Sequence, residues 1–374
     1  MDRHPTADEH LAFLVKLQRL LSEGDFTATY KFALLMALAD ISVERGHDDV
    51  RPLDISMRDI AEKFIECYWQ QTNPYGSGVE TTGGAGNLAH LTSGIRSEVY
   101  ATPATQFNGV ISQNMGATAK VVSDIQTFRQ STHTDSIVKA KQAASFGKLV
   151  TSIAQTVSAQ PVTYFQNIAG ATDAFVYERI RAGLRLKPGA SSHLRKFHGL
   201  IQHMTRDRWV RHIKNNKRNI PILGQKEDLY AFLFQTNRNA LGIISTSLSK
   251  LNNKTCFYCR NRINGTPDVD HFIPFSVYGR DIVQNFVLAH ASCNRSKSDV
   301  LAAKPHIQKW LESLDKYQDD INQIAQEAGV ISDHATILSV ANWTYQQGHQ
   351  AGAHAWIRKG EFERIEKGYA QILC

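Results

Sequence analysis

Four metal-binding side chains are concentrated in one part of the sequence. Cys256 and Cys259 form a Cys-x-x-Cys pair, and His290 and Cys293 form a His-x-x-Cys pair further along the chain. Together they supply three thiolates and one imidazole, a tetrahedral ligand set typical of structural Zn²⁺. The segment between the pairs is short and poor in core-forming residues, so a zinc ion would account for its stability. The alternative is that the cysteines are free thiols and His290 is an ordinary strand residue.

A carboxylate, an imidazole and two amides lie between these pairs or directly after them. Asp270 and His271 fall on a predicted strand, and Asn285 lies in the loop before a second predicted strand. Asn294 follows in the first turn of a predicted helix. The order strand, loop, strand and helix brings these groups together. Mg²⁺ and Mn²⁺ prefer oxygen ligands, which Asp270 and Asn294 offer, and His271 is left as a candidate general base.

The motifs Asp-His-x-x-Pro, Asn-x-Val-Leu and Cys-Asn-x-x-Lys, flanked by the metal-ligand pairs, resemble the HNH endonuclease family, the ββα-metal nucleases. The resemblance covers residues 256–297 of a chain of 374. It implies a module in which His271 activates the water that attacks the scissile phosphate. Asp270 and Asn294 would then hold the catalytic cation, Mg²⁺ or Mn²⁺.

The resemblance also implies roles for neighbouring residues. Asn285 would brace the loop that carries the histidine through backbone hydrogen bonds, and Lys297 would contact phosphate or the surroundings of the helix. Many family members have Cys-x-x-Cys as the second pair, whereas this chain has His290 at the first of those positions. Because histidine is a competent zinc ligand, we expect zinc to bind here as well. Asp268 falls on the same strand face as Asp270, and two roles stay open for it: it assists the metal, or it is a surface acid, which is the role we expect.

The reaction implied by the resemblance is metal-dependent hydrolysis of a phosphodiester bond in double-stranded DNA, which leaves 5′-phosphate and 3′-hydroxyl ends. An HNH protein with a long helical N-terminal region also resembles bacterial anti-phage defence nucleases, including the HNH effector of Zorya-type systems, and restriction-like enzymes. This implies antiviral defence, with defence-system proteins as partners. Two alternatives stay open: an HNH nuclease that cleaves RNA, and a non-catalytic, zinc-stabilised nucleic-acid-binding protein.

The elements that must position these residues are mostly helical. Leu11, Leu14 and Leu17 recur at helical spacing, and the run from Ser56 to Asp59 is a capping box that predicts the start of another helix. The predicted fold class is therefore mainly α. Helical N- and C-terminal regions would enclose an inserted ββα-metal module, with a few short strands elsewhere.

The sequence predicts four regions. They are a helical region at 1–90 that ends in a Gly-rich linker at 71–89, a mostly helical region at 91–250, the nuclease module at 251–304 and a helical region at 305–374. Among their predicted elements are strands at 162–168 and 174–177, helices at 191–213, 227–248 and 306–324, and a helix from 339 to the end.

A basic cluster lies between residues 179 and 218, where twelve basic residues face a single acid, Asp207. Such an excess of positive charge predicts a phosphate-binding surface. The alternative is a solvated helix face whose acidic partners lie elsewhere in the fold. Trp209, within the cluster, is expected to be a packing anchor. The residues of the cluster predicted to bind nucleic acid are Arg206, Arg208, Arg211, Lys214, Lys217 and Arg218.

The composition is that of an ordinary globular protein, with 42% hydrophobic and 21% charged residues, which argues against disorder and fibrous repeats. The N-terminus is polar, and the most apolar stretch, 32–41, is too short to span a bilayer. We therefore expect a soluble cytoplasmic protein without membrane insertion. Five cysteines in so long a chain do not make a disulfide framework.

Overall fold

The structure is a computed structural model, and it describes residues 3–24, 28–72, 116–215, 223, 229–235 and 238–373. The predicted Gly-rich linker lies almost entirely outside the described residues. The chain divides into two compact units. Unit 1 comprises Met1–Ser42, Gly46–Thr134 and Gln142–Gln235, and unit 2 comprises Val43–Arg45, Asp135–Lys141 and Thr236–Cys374. No helix among the described residues is long and apolar enough to cross a membrane.

Helices make up most of both units. In chain order they are α1 (Ala7–Glu23), α2 (Tyr30–Arg45), α3 (Met57–Trp69), α4 (Ala117–Thr132), α5 (Ile137–Gln142), α6 (Phe146–Ala159), α7 (Pro161–Tyr164), α8 (Ala190–Lys196), α9 (His198–Asn215), α10 (Leu229–Phe234), α11 (Arg238–Leu251), α12 (Ala291–Lys297), α13 (Lys304–Lys316), α14 (Gln318–Ala328), α15 (His334–Gln350) and α16 (Gly368–Gln371). Short 3₁₀ turns cover Gln70–Thr72 and Val283–Asn285.

The strands are few and short. They are β1 (Asp54–Ser56), β2 (Asn167–Ile168), β3 (Ala171–Thr172), β4 (Tyr177–Ile180), β5 (Gly183–Leu186), β6 (Asp268–His271), β7 (Phe286–Ala289), β8 (His354–Arg358) and β9 (Glu361–Arg364). In unit 1 the strand order is β1-β5-β4, with β2-β3 as a separate pair, and in unit 2 the pairs are β6-β7 and β8-β9. All of these pairings are antiparallel. The predicted fold class, mainly α with a few short strands, is confirmed.

A capping box fixes the start of α3 in unit 1. The Ser56 hydroxyl accepts a hydrogen bond from the backbone N–H of Asp59, and the Asp59 carboxylate accepts one from the backbone N–H of Ser56. These bonds pair donors that a helix N-terminus otherwise leaves unsatisfied. The helix start predicted at Ser56 is therefore confirmed.

Helix α9 is packed into the core of unit 1. Trp209 is fully buried, and its ring lies 5.6 Å from the ring of Tyr68 and 5.5 Å from that of Phe234. On the same helix the buried His198 pairs with Asp40, with 2.7 Å between Nε2 and Oδ1. The packing role predicted for Trp209 is confirmed.

Some element boundaries in unit 1 differ from the prediction. The strand predicted at 162–168 is wrong over its first half, because Pro161–Tyr164 forms a helical turn that proline, with its fixed φ, suits as a first residue. The single helix predicted at 191–213 is broken at Phe197, between α8 and α9. The helix predicted at 227–248 is likewise two helices, α10 and α11, and α11 belongs to unit 2.

In unit 2, β6 and β7 pack on the longer helices. The Trp310 ring from α13 stacks on Phe272 with 4.5 Å between ring centroids, and its indole N–H donates to the backbone oxygen of Gln284. Buried apolar residues from α11, α13, α14 and α15 join the same hydrophobic cluster. Burial of apolar surface against these helices thus supports strands that are only four residues long.

The helix predicted from residue 339 to the end is wrong beyond Gln350. The β8-β9 hairpin follows α15, and α16 is the only helix after it among the described residues. Gly352 and Gly360 have φ values of 63° and 79°, and both allow the chain to turn where other residues would be strained. Trp356 on β8 is buried, and its indole N–H donates to Ser296 on α12. The hairpin therefore covers the helix that carries Asn294.

Candidate active site and metal centre

The segment predicted to carry the chemistry forms a strand, loop, strand and helix in unit 2. In the β6-β7 pair Asp270 lies opposite Val287 and His271 opposite Phe286. Helix α12 follows β7 after His290, which is its N-cap residue. The two paired strands and the helix after them thus place the Asp270 carboxylate, the His271 imidazole and the Asn294 amide on one ββα module.

The side chains of Cys256, Cys259, His290 and Cys293 converge at one point. Their candidate ligand atoms all lie within 4.8 Å of one another. The Cys259 sulfur is 3.3 Å from His290 Nδ1, and the backbone N–H of His290 donates to the Cys256 sulfur. Ligands of a tetrahedral Zn²⁺ at Zn–S distances of about 2.3 Å lie roughly 3.5–4 Å apart. The cluster therefore fits a zinc ion.

The polar surroundings of the four side chains also fit a cation. Burial acts to raise the pKa of Cys256, but backbone N–H groups of Cys259, His290 and Tyr258 outweigh it and lower this pKa to about 7. Burial and the neighbouring thiols of Cys256 and Cys259 raise the pKa of Cys293 to about 12. Thiols crowded in this way are stabilised as thiolates by a shared metal ion. The Cys3His group can thus hold structural zinc.

His290 is oriented for a ligand role. Its Nδ1 faces the thiol cluster, while Nε2 lies 3.3 Å from the backbone oxygen of Arg262. Such a carbonyl partner fixes the tautomer in which Nε2 carries the proton and Nδ1 has a free lone pair. The substitution of histidine for cysteine at this position therefore keeps a metal ligand.

Asp270 is buried, and one of its two oxygens is committed to the protein. Its Oδ2 accepts a 2.5 Å hydrogen bond from the Tyr258 hydroxyl and lies 3.2 Å from the Lys297 ammonium. Burial, and next to it the Asp270 charge, raise the pKa of Tyr258 well above its ordinary value, so this phenol stays a donor. No described residue donates to Oδ1, which remains available as an oxygen ligand for a cation.

Lys297 lies inside the module, where it cannot meet a phosphate. Its side chain has 0% exposure, and its Nζ donates to the backbone oxygen of His271 at 2.9 Å. Burial lowers the pKa of Lys297, and the Asp270 carboxylate opposes this effect. The predicted contact with nucleic acid is therefore replaced by an internal role, in which Lys297 holds the Asp270–His271 strand. Of the two roles that the resemblance implied, the one in the helix surroundings fits.

Asn294 is oriented by an acid that the sequence prediction left at the surface. The Asn294 Nδ2 donates to Asp268 Oδ2 at 3.1 Å, and Asp268 is only half-exposed. Because the amide nitrogen points at Asp268, the amide oxygen points away from it. Asp268 therefore selects the side chain orientation that presents an oxygen ligand.

The imidazole of His271 has a carboxylate partner in the loop between β6 and β7. Asp281 Oδ1 lies 2.6 Å from His271 Nε2. The rings of Phe275 and Phe286 flank the imidazole at centroid distances of 5.3 and 4.8 Å. Asp281 lies outside the three motifs that carry the resemblance to HNH nucleases. It lies four residues before Asn285, and this spacing alone does not predict a contact with His271.

Asn285 braces the loop, as the resemblance implied. Its fully buried side chain accepts a hydrogen bond from the backbone N–H of Ile273 at 2.7 Å and donates to the Ile273 oxygen at 2.9 Å. Its own backbone oxygen accepts from the N–H of Phe272. These bonds fix the chain directly after His271.

The basic cluster of unit 1 is largely engaged in contacts within that unit. Arg206 is buried against the Phe234 ring, and Arg208 donates to the backbone oxygen of Leu21. Arg211 pairs with Asp207 on the same helix, while Lys214 is exposed. Lys217 and Arg218 lie outside the described residues. Among the predicted phosphate contacts in the described part of the chain, Arg211 and Lys214 are thus the exposed ones.

Comparison with protein families gives two matches. A model described as a domain of unknown function (DUF8808) matches residues 10–233, which is more than half of the chain. The chain belongs to the DUF8808 family. An HNH endonuclease model matches residues 256–299 of this DUF8808 chain, so the resemblance to HNH nucleases is confirmed. No curated protein and no solved structure matches the chain.

The HNH match and the geometry concern the same residues. The match includes Asp270, His271, Asn285 and Asn294, together with the four members of the Cys3His group. An HNH domain implies binding of nucleic acid, and a nuclease or a zinc-binding nucleic-acid protein is consistent with it. In this DUF8808 chain the family domain precedes the HNH domain.

Proposed function

We propose that the chain is a metal-dependent endonuclease that hydrolyses phosphodiester bonds of double-stranded DNA. The observation that carries the proposal is the arrangement around β6 and α12. Asp270 and Asn294 each commit one polar atom to the protein and keep one oxygen, and His271 stands beside Asp270 on the same strand. A binding module would not need these uncommitted groups.

The catalytic roles follow from the positions of the side chains. Asp270 and Asn294 would hold Mg²⁺ or Mn²⁺, which suits their hard oxygen donors. When bound, the cation supplies positive charge that offsets charge on the phosphate and on the departing 3′ oxygen. His271 takes the proton of the attacking water through Nδ1, and Lys297 and Tyr258 keep Asp270 in place. The products would carry 5′-phosphate and 3′-hydroxyl ends.

The Cys3His group has a separate role in the proposal. Zn²⁺ held by Cys256, Cys259, His290 and Cys293 would join the chain before β6 to the start of α12. This would fix the first turn of α12 and thus the position of Asn294 relative to Asp270 on β6. The zinc would be structural because all four positions of a tetrahedral ion are filled by protein.

Supercoiled plasmid is the substrate that tests the proposal. Purified full-length protein is incubated with plasmid in Mg²⁺, Mn²⁺ or EDTA, beside His271→Ala and the matched control His334→Ala, an exposed histidine at the start of α15. We expect nicked or linear DNA only with a divalent cation, and a loss of roughly 10²- to 10⁴-fold in His271→Ala, the range for removal of a general base. His334→Ala should cut normally.

Several outcomes decide between the candidate substrates and roles. Equal cutting by His271→Ala and wild type would contradict the catalytic assignment. Intact plasmid together with cleavage of structured RNA in the same buffers would make RNA the substrate. Binding without cleavage of either polymer would favour the zinc-stabilised binding protein.

We further propose that the nuclease acts in bacterial anti-phage defence with partner proteins. The support is the resemblance of an HNH motif behind a long helical region to defence nucleases. Expression in a bacterial host should lower the plating efficiency of some phages, and His271→Ala should restore it. Unchanged plating for a broad phage panel, with the partner genes present, would remove this role without affecting the nuclease assignment.

A further inference from the structure

Asp281 and His271 form a partly buried pair in unit 2. The distance between Asp281 Oδ1 and His271 Nε2 is 2.6 Å, and the side chains are 13% and 23% exposed. A carboxylate accepts a hydrogen bond and an imidazole nitrogen can donate one, so this contact keeps a proton on Nε2. In the neutral ring the other nitrogen, Nδ1, then has a free lone pair.

The second nitrogen of His271, Nδ1, has no hydrogen-bond partner among the residues that the structure describes. The imidazole packs against two aromatic rings, with centroid distances of 5.3 Å to Phe275 and 4.8 Å to Phe286. These two rings limit how far the imidazole can tilt, while the Asp281 contact limits its rotation. The imidazole is therefore held with Nδ1 unengaged, as a general base requires.

The loop that carries Asp281 is anchored on both sides of it. Before it, Arg280 and Tyr278 both reach Glu44 Oε1, at 2.5 and 2.6 Å, and the Glu44 side chain is 6% exposed. After it, the N–H of Val283 donates to the backbone oxygen of Ile331 at 2.8 Å. The position of Asp281 is thus determined by contacts other than its bond to His271. It can impose an orientation on the imidazole.

We propose that Asp281 is the positioning residue for His271: it fixes the tautomer with the proton on Nε2 and aims Nδ1 at the attacking water. The proposal deepens, and for its catalytic part rests on, the proposed nuclease function. Asp281 does not touch the substrate in this scheme. It acts by setting which nitrogen of His271 is the base.

Kinetics of three variants test the role. Asp281→Asn keeps the size of the side chain but can donate to Nε2 and so favour the wrong tautomer. We expect kcat to fall roughly 10- to 100-fold with KM nearly unchanged, as for other residues that orient a functional histidine. Asp281→Glu, which retains a carboxylate, should recover part of the loss. Asp320→Asn, an exposed acid on α14, should behave as wild type.

A readout independent of cleavage separates positioning from a general structural role. In protein labelled with ¹⁵N at histidine, the His271 signals are identified by their absence from His271→Ala and recorded in mildly alkaline buffer without Mg²⁺. We expect the Nε2–H tautomer in wild type and in Asp320→Asn, and a shift towards Nδ1–H in Asp281→Asn. Unfolding midpoints and zinc content should stay close to wild type.

The outcomes are distinct for the two proposals. An unchanged tautomer in Asp281→Asn, or a kcat equal to wild type in an active enzyme, would overturn the positioning role. A tautomer that depends on Asp281 in a protein that cuts no nucleic acid would support the pairing while the nuclease function fails. A KM effect with unchanged kcat would count against positioning, because orientation of a base acts on the chemical step.

Discussion

The two candidate metal sites of unit 2 lie on the same ββα module but are built differently. In the Cys3His group four side chains face one another within 4.8 Å and fill every position around a tetrahedral ion. At the proposed catalytic site Asp270 and Asn294 each give one atom to a hydrogen bond within the protein, and no described residue donates to the remaining side-chain oxygen of either. A closed set stabilises the fold, whereas an open set leaves room for substrate and water.

The two sites share α12, but substitutions in them should have different effects. Loss of the closed set should remove the structure on which the open set depends. Loss of the open set should remove cleavage and leave the fold intact. Measurements of stability and of activity on the same variants therefore distinguish the two sites.

The largest expected effect is that of removing a ligand from the Cys3His group. Structural zinc contributes on the order of 10 kcal/mol to the folding of small zinc domains, so Cys259→Ser should cost several kcal/mol and unfold much of unit 2. Elemental mass spectrometry measures the zinc content of wild type and Cys259→Ser. Thermal unfolding with and without chelator measures their stability. Cys67→Ser, a half-buried cysteine of unit 1, is the control. A Cys259→Ser variant as stable as wild type, in a protein that holds no zinc, would remove the difference between the sites.

The next effect concerns the buried lysine that supports the open site. Lys297→Met leaves Asp270 without its cation in a buried position, and removal of one partner of a buried pair costs about 3–5 kcal/mol. Chemical denaturation in zinc-containing, Mg²⁺-free buffer measures the free energy of unfolding. Lys250→Met, at an exposed position on α11, should change it by less than about 0.5 kcal/mol. Full stability with weakened DNA binding would return Lys297 to a phosphate-contacting role.

A smaller effect is expected from Asp268, which in our scheme orients a ligand of the catalytic cation but is not itself a ligand. Asp268→Ala removes the acceptor that turns the Asn294 amide but leaves both ligand oxygens in the chain. We expect the Mg²⁺ concentration for half-maximal cleavage to rise roughly tenfold or more, with most activity recovered at saturating Mg²⁺. The exposed acid Asp299 provides the control Asp299→Ala. If Asp268→Ala needs the same Mg²⁺ concentration as wild type for half-maximal cleavage, Asp268 does not orient Asn294. The backbone of α12 would then be sufficient to place the amide.

Motif spacing, hydrophobic periodicity and net charge differed in how well they predicted the fold and the candidate site. Spacing predicted the ββα order and the Cys3His convergence, because both follow from local geometry and ligand chemistry. The bracing by Asn285 was implied by the resemblance to HNH nucleases. The pairing of Asp281 with His271 was missed, and the contact between Asp268 and Asn294 was not predicted, since both depend on which side chain the fold brings near. The β8-β9 hairpin was read as helix because buried Trp356 gave no clear period. Net charge predicted least, as the burial of Arg206 within the basic cluster shows.

The smallest expected effect tests whether the exposed remainder of the basic cluster meets DNA. Lys214→Ala should weaken binding to any DNA sequence by less than about 1 kcal/mol and lower the slope of log K against log salt by about one, as expected for one lost phosphate contact. Binding of a labelled duplex by catalytically inactive His271→Ala protein, titrated at several salt concentrations, measures both. Arg206→Ala is the contrasting variant, because its buried guanidinium packs on Phe234 and its loss should lower stability. An unchanged slope in Lys214→Ala would show that Lys214 contacts no phosphate and would favour a solvated helix face at this end of α9.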